Sequence, residues 1–400
     1  MKQLTNKQIL LGITGSIAAY KACELVRLLR DAGCTVRVVM TRAATEFVSP
    51  LTFQALSHNE VHRDLLDEKA EMAMGHIELA KWADAVIVAP ASANFMARLA
   101  HGRADDLLTA VCLATPAPVA VAPAMNQQMW QDAATQENIS LLTAHNVKVF
   151  GPASGDQACG DSGPGRMLEP EQIQQHIAGL FETGSLAGYK VVVTAGPTRE
   201  PIDPVRYISN RSSGLMGFAI AQAVVEAGAQ CLLISGPTDL QTPHKVSRIN
   251  VETAQQMYDA VMMNIKDCDL FIATAAVSDY RPQQPSQQKI KKSQQHLTLE
   301  LTRNPDILAE VSKQYPEIFS VGFAAETQDL AQSAIQKLNQ KSLNMVIANN
   351  VARNDIGFDS EENEVTAFWQ GGEQTFEKAS KSRIARQLIQ LIAEKFAASR

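Results

Sequence analysis

The sequence has few aromatic residues, no excess of basic residues and no closely spaced cysteines. Aromatic side chains form 6% of the 400 residues, and 36 Lys and Arg stand against 42 Asp and Glu, which gives a net charge of -6. A general nucleic-acid-binding protein normally has a basic surface, and one that stacks bases needs aromatics. Six cysteines without a Cys-x-x-Cys pair indicate neither a structural zinc site nor a dithiol redox motif. We therefore expect no nucleic-acid partner.

The sequence also lacks a clean membrane-spanning or export segment. The uncharged stretch 107–131 is interrupted by three prolines and ends in polar amides, which suit neither a helix nor lipid. The apolar run 9–19 follows Lys2 and Lys7, but Gly12 and Gly15 interrupt it and no small-residue cleavage site follows. We expect a cytoplasmic protein without a membrane partner.

Four hundred residues exceed the usual size of one hydrophobic core, and two parts of the chain open in the same way. The apolar run Gln8–Ile13, a Thr-Gly-Ser turn, helical spacing over 17–32 and the run Thr35–Met40 predict β-loop-α-β. The pattern returns with a strand at 190–194, a helix at 217–227 and the strand Gln230–Ser235. Further strands are predicted at 85–89, 119–122, 147–150, 270–274, 319–322, 345–348 and 365–369.

These patterns are typical of α/β proteins with doubly wound, Rossmann-like parallel sheets. A weak Gly- and Ser-containing linker at 183–188 separates the two openings. We therefore predict two domains, 1–188 and 189–400.

Two segments are too unusual to be ordinary connections. The insertion 198–216 separates a strand from its helix, and an insertion of this length is commonly functional. The segment 283–296 has six Gln, three Lys and no acidic residue. By composition it is a mobile linker, but Lys289, Lys291 and Lys292 could instead close over a phosphate-bearing ligand.

Isolated polar residues suggest a small-molecule site in the first half. Gly15 and Ser16 place backbone N–H groups before a helix, which favours a mononucleotide phosphate because no full Gly-x-Gly-x-x-Gly fingerprint is present. Asn126 follows a predicted strand at its ligand-facing end. Cys159 lies in a Gly-rich polar stretch, whereas the other cysteines have apolar neighbours. His76 stands near Glu78, but a metal site there lacks a third ligand.

The motifs that surround these residues resemble two enzyme families in succession. Similarity to flavin-dependent cysteine decarboxylases rests on the residues at 15–21, 75–79, 89–94, 123–126 and 158–160. Similarity to phosphopantothenate–cysteine ligases rests on those at 194–200, 208–214, 275–280, 289–292, 304–307 and 322–327. Both in this order resemble the bifunctional enzyme family of bacterial coenzyme A synthesis, so the first domain would be flavodoxin-like and the second a ligase.

For the first domain, the resemblance implies an FMN enzyme that decarboxylates 4'-phosphopantothenoylcysteine to 4'-phosphopantetheine. The substrate thiol would be oxidised to a thioaldehyde, which allows loss of CO2 and leaves an enethiolate to be reduced again. FMN supplies the redox chemistry, and the protein supplies position and protons. By motif match, the residues that would contact FMN are Gly15, Ser16, Thr41, Ser92 and Asn94. The matching catalytic residues are His76, Asn126, which would hold the substrate carboxylate, and Cys159, which would donate the final proton.

For the second domain, the resemblance implies ligation of 4'-phosphopantothenate with cysteine through an acyl-cytidylate formed from CTP. A Mg2+ ion would share the charge of the phosphates, although the sequence does not identify its ligands. Asn210 matches the residue that acts on the acyl-cytidylate, and Lys289 a catalytic residue that contacts the nucleotide. The other residues matched to CTP are Ala273, Ala275, Asp279, Pro305, Asp306, Ile307, Leu308, Phe323, Lys337 and Lys341.

Two other classes stay open on the residues alone. A nicotinamide-dependent oxidoreductase would need a dinucleotide fingerprint, which neither half supplies cleanly. A flavodoxin-like binding protein without turnover would not need Cys159, Asn210 and Lys289 together. The resemblance also implies assembly, because the decarboxylases are trimers with shared active sites and the ligases are dimers. Both kinds of contact on one chain predict a homo-oligomer, a dodecamer.

Overall fold

A computed structural model describes residues 4–65, 75–291, 297–326, 330–350, 360 and 362–400. The chain forms two compact units, Met1–Phe181 and Glu182–Arg400. The predicted linker begins the second unit, because Leu186 is fully buried in its core and the Leu186 N–H donates to the Ala227 carbonyl. The boundary predicted after residue 188 therefore falls inside the second unit. No helix in the described ranges is long and apolar enough to cross a membrane.

The first unit contains a six-stranded parallel sheet in the order β3-β2-β1-β4-β5-β6. The order reverses between β1 and β4, and this switch point is where doubly wound folds bind ligands. The strands are β1 Gln8–Ile13, β2 Thr35–Met40, β3 Val61–His62, β4 Ala85–Ala91, β5 Val119–Pro123 and β6 Lys148–Val149. A separate antiparallel hairpin follows, with strands β7 Ala153–Asp156 and β8 Ser162–Arg166.

The central strands of this sheet are covered on both faces, as parallel strands require. Every residue of β4 is buried, and alternate residues contribute to separate hydrophobic clusters. The described helices are Ala19–Asp31, Pro50–Ser57, Gly75–Trp82, Ala93–Ala100, Leu107–Ala114, Gln127–Gln131, Ala133–Ala144 and Pro170–Gly179, with a 3-10 turn at Arg42–Glu46.

The second unit contains an eight-stranded sheet in the order β13-β12-β9-β14-β17-β18-β19-β20. The strands are β9 Lys190–Ala195, β12 Gln230–Ser235, β13 Val246–Asn250, β14 Leu270–Ala273, β17 Phe319–Glu326, β18 Met345–Asn350, β19 Glu362–Trp369 and β20 Gly372–Ser380. Two ribbons lie outside the sheet, β10 Arg199–Pro201 with β11 Tyr207–Ser209, and β15 Tyr280–Pro282 with β16 Leu301–Arg303.

The doubly wound α/β fold predicted for both halves is confirmed, with one difference in the second sheet. In the spatial order of the sheet, the six strands from β13 through to β18 are parallel to one another. At the edge, β19 pairs antiparallel with β18, and β20 pairs antiparallel with β19. A short turn that contains Gly371, with a φ of 90°, joins β19 to β20, and tight turns of this kind connect antiparallel strands. The described helices of this unit are Leu215–Glu226, Ala254–Asn264, Ile307–Gln314, Leu330–Gln340 and Lys381–Ala398.

Candidate active sites

In the first unit, the turn after β1 joins the carboxyl ends of the two neighbouring strands. The Thr14 hydroxyl donates to the Pro90 carbonyl at 2.8 Å and accepts from the Ser92 N–H at 2.9 Å. On the other side, the Thr41 N–H donates to the Ile13 carbonyl at 3.0 Å. The ends of β2, β1 and β4 therefore form one connected edge at the switch point of the sheet, and Thr14, which the sequence analysis missed, joins the β1 turn to the end of β4.

The residues predicted to contact FMN lie along this edge. Gly15 and Ser16 form the turn after β1, Thr41 follows β2, and Ser92 and Asn94 follow β4. The Ser92 hydroxyl also caps the next helix by accepting a backbone N–H at 3.3 Å. Their proximity at three strand ends is the arrangement that the fold predicts for a ligand site.

The chemistry of this edge fits a flavin mononucleotide. The turn precedes the 13-residue helix Ala19–Asp31, so its N–H groups and the positive end of the helix dipole favour a phosphate. A Cβ on Gly15 would come within 2.6 Å of the Ala43 Cβ, which shows how closely the turn packs on the adjacent segment. The Ser16 and Ser92 hydroxyls each accept a backbone N–H at 3.3 Å and so keep a proton that they can donate to a ligand.

A second group of predicted residues meets where the β7–β8 hairpin contacts the loop after β5. The Asn126 Nδ2 lies 3.4 Å from the Cys159 Sγ and 3.0 Å from the Asp161 Oδ2. The Cys159 Sγ lies 3.5 Å from the same carboxylate oxygen. Asn126 and Cys159, which are 33 residues apart, are therefore neighbours, and Asp161 completes a thiol–amide–carboxylate group.

Backbone contacts hold this hairpin against the loop. The Gln157 Oε1 accepts from the Gln127 N–H at 3.0 Å, and the Gly165 carbonyl accepts from the Met125 N–H at 3.0 Å. Gly165 has a φ of 131°, and a Cβ there would collide with the Met125 carbonyl, so a glycine is required. The sequence analysis did not identify Gln157 or Asp161 as site residues, although Asp161 stands next to the Cys-Gly motif.

Cys159 differs from the other cysteines in its exposure. It is an exposed free thiol, whereas Cys34, Cys112 and Cys231 are buried. Cys23 and Cys268, whose apolar neighbours also predicted core positions, are only partly buried. Burial raises the pKa of the Cys34 and Cys112 thiols to about 12, which keeps them protonated at neutral pH. Cys159 is therefore the thiol accessible to a substrate.

His76 belongs to a different element from this group. It is half-buried near the start of the helix Gly75–Trp82, and its side chain forms no hydrogen bond or ion pair with Asn126, Cys159 or Asp161 in the described ranges. The neighbouring Glu78 pairs with Arg37 at 3.4 Å rather than with His76. One chain thus brings together Asn126 and Cys159 but does not bond them to His76.

In the second unit, a cavity of about 540 Å³ opens beside β14 and β17. All the residues predicted to contact CTP line it except Lys289; they come from the segments 273–279, 305–308, 323 and 337–341. The sequence analysis missed further lining residues, which are Thr194, Val277, Ser278, Tyr280, Arg303 and Asn304.

Hydrogen bonds fix the polar wall of this nucleotide cavity. The Asn304 Nδ2 donates to the Ser278 carbonyl at 2.8 Å, and the Asn304 N–H donates to the Asp279 carbonyl at 2.8 Å. The loop after β14 and the segment that precedes the helix Ile307–Gln314 are thereby joined. Asn304 stabilises the cavity wall. The sequence could have identified it, because it belongs to the ligase-like motif at 304–307.

Two lysines contribute, together with Arg303, to the positive charge of the cavity. The Lys337 Nζ donates to the Phe323 carbonyl at 2.6 Å, and the Lys341 Nζ lies 2.6 Å from the Asp306 carboxylate. The other Asp306 oxygen caps the helix Ile307–Gln314 by accepting from the Ala309 N–H at 3.1 Å. Both ammonium groups are thus held at the cavity, where they can face phosphate oxygens.

Asn210 lies at the border of the same cavity. Its Nδ2 donates to the carbonyl of Val277, a lining residue, at 3.0 Å. The insertion 198–216 therefore reaches the border of this cavity. Lys289 is exposed and does not line the cavity. Lys292, the rest of the segment to 296, and Thr327 lie outside the described residues.

A second cavity of about 1070 Å³ lies next to the insertion, with Ser212 and Ser213 in its wall. It contains Arg199 and Arg248 but also Asp239 and Glu252. Its formal charges balance, so the cavity by itself shows no preference for an anion. In the described part of the chain, no group of three or more His, Cys, Asp or Glu could hold a metal ion.

Comparisons with known proteins agree with the division of the chain into two units. The family model "Flavoprotein" matches residues 1–182, and "DNA/pantothenate metabolism flavoprotein C-terminal domain" matches residues 186–396. The Coenzyme A biosynthesis bifunctional protein CoaBC of Vibrio cholerae is 52% identical over 399 residues, which are 98% of this chain and 100% of that protein. The protein of the same name in Escherichia coli is 48% identical over 398 residues, 98% of each.

A solved structure is similar to part of the chain. The crystal structure of the C-terminal domain of CoaBC is 36% identical, with a TM-score of 0.47, and covers 54% of this chain and 100% of its own. Since the two family models and the full-length relatives together span nearly all of the sequence, this chain belongs to the family of bifunctional coenzyme A biosynthesis proteins, with a flavoprotein unit followed by a pantothenate-metabolism unit.

Proposed function

We propose that the chain catalyses two consecutive steps of coenzyme A synthesis. The second unit ligates 4'-phosphopantothenate with cysteine at the expense of CTP, and the first unit decarboxylates the product with FMN. The observation that carries the proposal is the convergence of predicted nucleotide residues from four separate segments on one cavity of about 540 Å³. Family membership over the full chain supports the pairing of the two activities.

In the ligase step, the carboxylate of phosphopantothenate attacks the α-phosphorus of CTP and pyrophosphate leaves. A carboxylate must be activated in this way because it does not acylate an amine at neutral pH. The ammonium groups of Lys337 and Lys341 face the phosphates and offset their negative charge. Cysteine's amine then attacks the acyl carbon of the acyl-cytidylate, CMP leaves, and the Asn210 amide at the cavity border orients this intermediate.

We propose that Mg2+ enters with the nucleotide rather than at a preformed protein site. The described residues contain no cluster of three potential ligands, while Asp279 and Asp306 provide single carboxylates in the cavity. Magnesium commonly binds through one or two carboxylates and the substrate's phosphates. Ligase activity that persists at full rate after chelation of divalent ions would remove Mg2+ from the mechanism.

In the decarboxylase step, FMN held by Gly15, Ser16, Thr41, Ser92 and Asn94 would supply two-electron redox chemistry. The Asn126 amide would donate to the substrate carboxylate, and the Cys159 thiol would give a proton to the carbon that the reduction completes. The Asp161 carboxylate lies 3.5 Å from that sulfur and 3.0 Å from the Asn126 amide, and so orients both groups.

We propose that His76 acts across a subunit boundary, since its side chain has no hydrogen-bond partner in the described part of its own chain.

Exposed apolar side chains on each unit support an oligomer, among them Tyr20 and Leu51 in the first unit and Tyr207 and Leu301 in the second. Trimers joined through dimers give a cytoplasmic dodecamer. Sedimentation should give a particle mass twelve times that of the chain. A monomer would contradict an active site shared between subunits. Cell fractionation tests the cytoplasmic location.

The experiment that tests the proposed function separates the two half-reactions. Purified protein is expected to be yellow with bound FMN and to release pyrophosphate from CTP with phosphopantothenate in the absence of cysteine. ATP run in parallel measures base selectivity. A colourless protein that binds NAD, or a protein that releases no pyrophosphate with either nucleotide, would contradict the proposal.

Asn210→Asp is expected to form the acyl-cytidylate but to convert it slowly, so that the intermediate accumulates. A carboxylate beside the mixed anhydride would repel its phosphate and oppose the developing charge. Quenched-reaction mass spectrometry with and without cysteine measures the intermediate. Loss of CTP binding, with no intermediate at any time, would show that Asn210 acts in an earlier step.

A further inference from the structure

The insertion after β9 contains a buried carboxylate that the proposed chemistry does not use. Asp203 lies in the turn between β10 and β11 and is 3% exposed. Its Oδ1 accepts from the backbone N–H groups of Val205 and Arg206, both at 2.8 Å. These two bonds close the turn and leave the second oxygen, Oδ2, for other partners.

The second oxygen binds the lysine-containing loop. The Asp203 Oδ2 accepts from the Ile290 N–H at 3.1 Å, across 87 residues of sequence, and from the Arg206 Nε at 3.0 Å. An Arg206 terminal nitrogen lies 2.7 Å from the same oxygen and donates to the Ile290 carbonyl at 2.6 Å. Both backbone polar groups of the residue that follows Lys289 are therefore bonded to one ion pair, in which the Asp203 carboxylate is buried and the Arg206 side chain is partly exposed.

A further backbone contact holds the loop upstream of Lys289. The Ser286 N–H donates to the Ile202 carbonyl at 2.9 Å. Lys289 thus stands between two anchored residues, although its own side chain is exposed. The described portion of this loop is docked on the insertion, which the composition of the segment could not reveal.

The anchor is ionised at neutral pH. Burial alone would raise the pKa of Asp203, but N–H donors from Val205, Ile290 and Arg206, together with the Arg206 side chain, outweigh burial and lower the pKa to about 2. A carboxylate here accepts at both oxygens. An asparagine would retain one acceptor and turn an NH2 group, a donor, toward the other donors.

We propose that Asp203 is a positioning residue of the ligase, which fixes the backbone at Ile290 so that Lys289 is presented to the nucleotide phosphates. This inference rests on the proposed ligase function and on the prediction from the family resemblance that Lys289 contacts CTP. The Asp203 side chain is itself fully buried and bonded to the chain, so it does not contact substrate. The alternative is that Asp203 stabilises only its own turn, in which case its loss should not depend on Lys289.

A double-mutant cycle distinguishes these roles. Asp203→Asn is expected to lower the rate of pyrophosphate release on the order of 100-fold, because displacement of a catalytic group by about 1 Å has an effect of that size. In a Lys289→Gln background the same substitution should have almost no further effect, since the group it positions is gone. Multiplicative losses in the double variant, or a parent-like rate for Asp203→Asn beside an impaired Lys289→Gln, would overturn the proposal.

Limited trypsin digestion tests the docking without any ligase chemistry. Cleavage after Lys289 requires release of the Ile290 backbone, so Asp203→Asn should accelerate this cut while cleavage after the exposed Lys245 stays constant. Equal cleavage rates in parent and variant would contradict the anchor. If Lys289→Gln alone keeps full ligase activity while Asp203→Asn still accelerates the cut, the anchor exists and the proposed role of Lys289 is the part that fails.

If Asp203→Asn fails to fold, a substitution at Ile290 tests the same hydrogen bond from its donor end. Ile290→Pro removes the N–H that donates to Asp203 and leaves the turn intact, and Ile290→Ala keeps that N–H and gives the baseline for the lost side chain. We expect the proline variant to lose far more ligase rate than the alanine variant. Equal rates in the two would overturn the proposal, and a thermal unfolding transition of the second unit that matches the parent shows that each variant is folded.

Discussion

Lys289→Gln is expected to lower the rate of CTP-dependent ligation by roughly a hundred- to a thousand-fold. Glutamine keeps most of the length of lysine but removes the positive charge that would face phosphate oxygens as charge develops. Losing one preorganised donor of this kind costs roughly 2.7–4 kcal/mol of transition-state stabilisation. Single-turnover rates of pyrophosphate release at saturating CTP and phosphopantothenate measure the effect.

The neighbouring lysines provide matched controls for this variant. Lys291 lies beyond the anchored Ile290, so Lys291→Gln is expected to lose much less activity, as is Lys292→Gln. Decarboxylation should be unchanged in all three variants, because its residues belong to the other compact unit. If all three retain near-parental ligase rates, the segment is a tether and the composition-based interpretation was right.

Much of the fold could be predicted because parallel strands carry a strong local signal. Residues 85–89 and 190–194 form apolar runs between turn residues, and they are buried central strands as expected. Val246–Asn250 was missed because it lies at the sheet edge and alternates with polar residues, so it lacks such a run. The antiparallel hairpin at the opposite edge was also missed in part, although Gly371 and Gly372 were a usable turn signal.

The sites were predictable to the extent that motifs follow strand ends. Thr41 and Ser92 directly follow β2 and β4, and Asn126 lies in the loop after β5. The fold places ligand contacts at these strand ends. The bond from Asp203 to Ile290 could not be predicted, because it depends on how two irregular segments pack. No spacing or composition rule relates residues so far apart in the sequence, and only the three-dimensional structure identifies the pair.

Cys159→Ser is expected to change the product of decarboxylation rather than abolish the reaction. In the proposed mechanism, oxidation and loss of CO2 would use the flavin and the Asn126 contact, and the substitution leaves both in place. The final reduction needs a proton at carbon, and a serine hydroxyl is a far weaker acid than a thiol, so the enethiol intermediate should accumulate. Mass spectrometry of the quenched reaction should show a species two hydrogens lighter than 4'-phosphopantetheine.

The environment of Cys159 makes this outcome specific to the one thiol. The Asn126 amide and the Asp161 carboxylate contact its sulfur, and no other cysteine in the described residues is exposed. Cys23→Ser, at a half-buried position, is therefore the matched control and should give normal phosphopantetheine. Ligase activity should be unaffected in both variants. A normal yield of phosphopantetheine from Cys159→Ser would show that the proton comes from another group, and Asp161, whose carboxylate contacts both Asn126 and Cys159, would then be the first residue to replace.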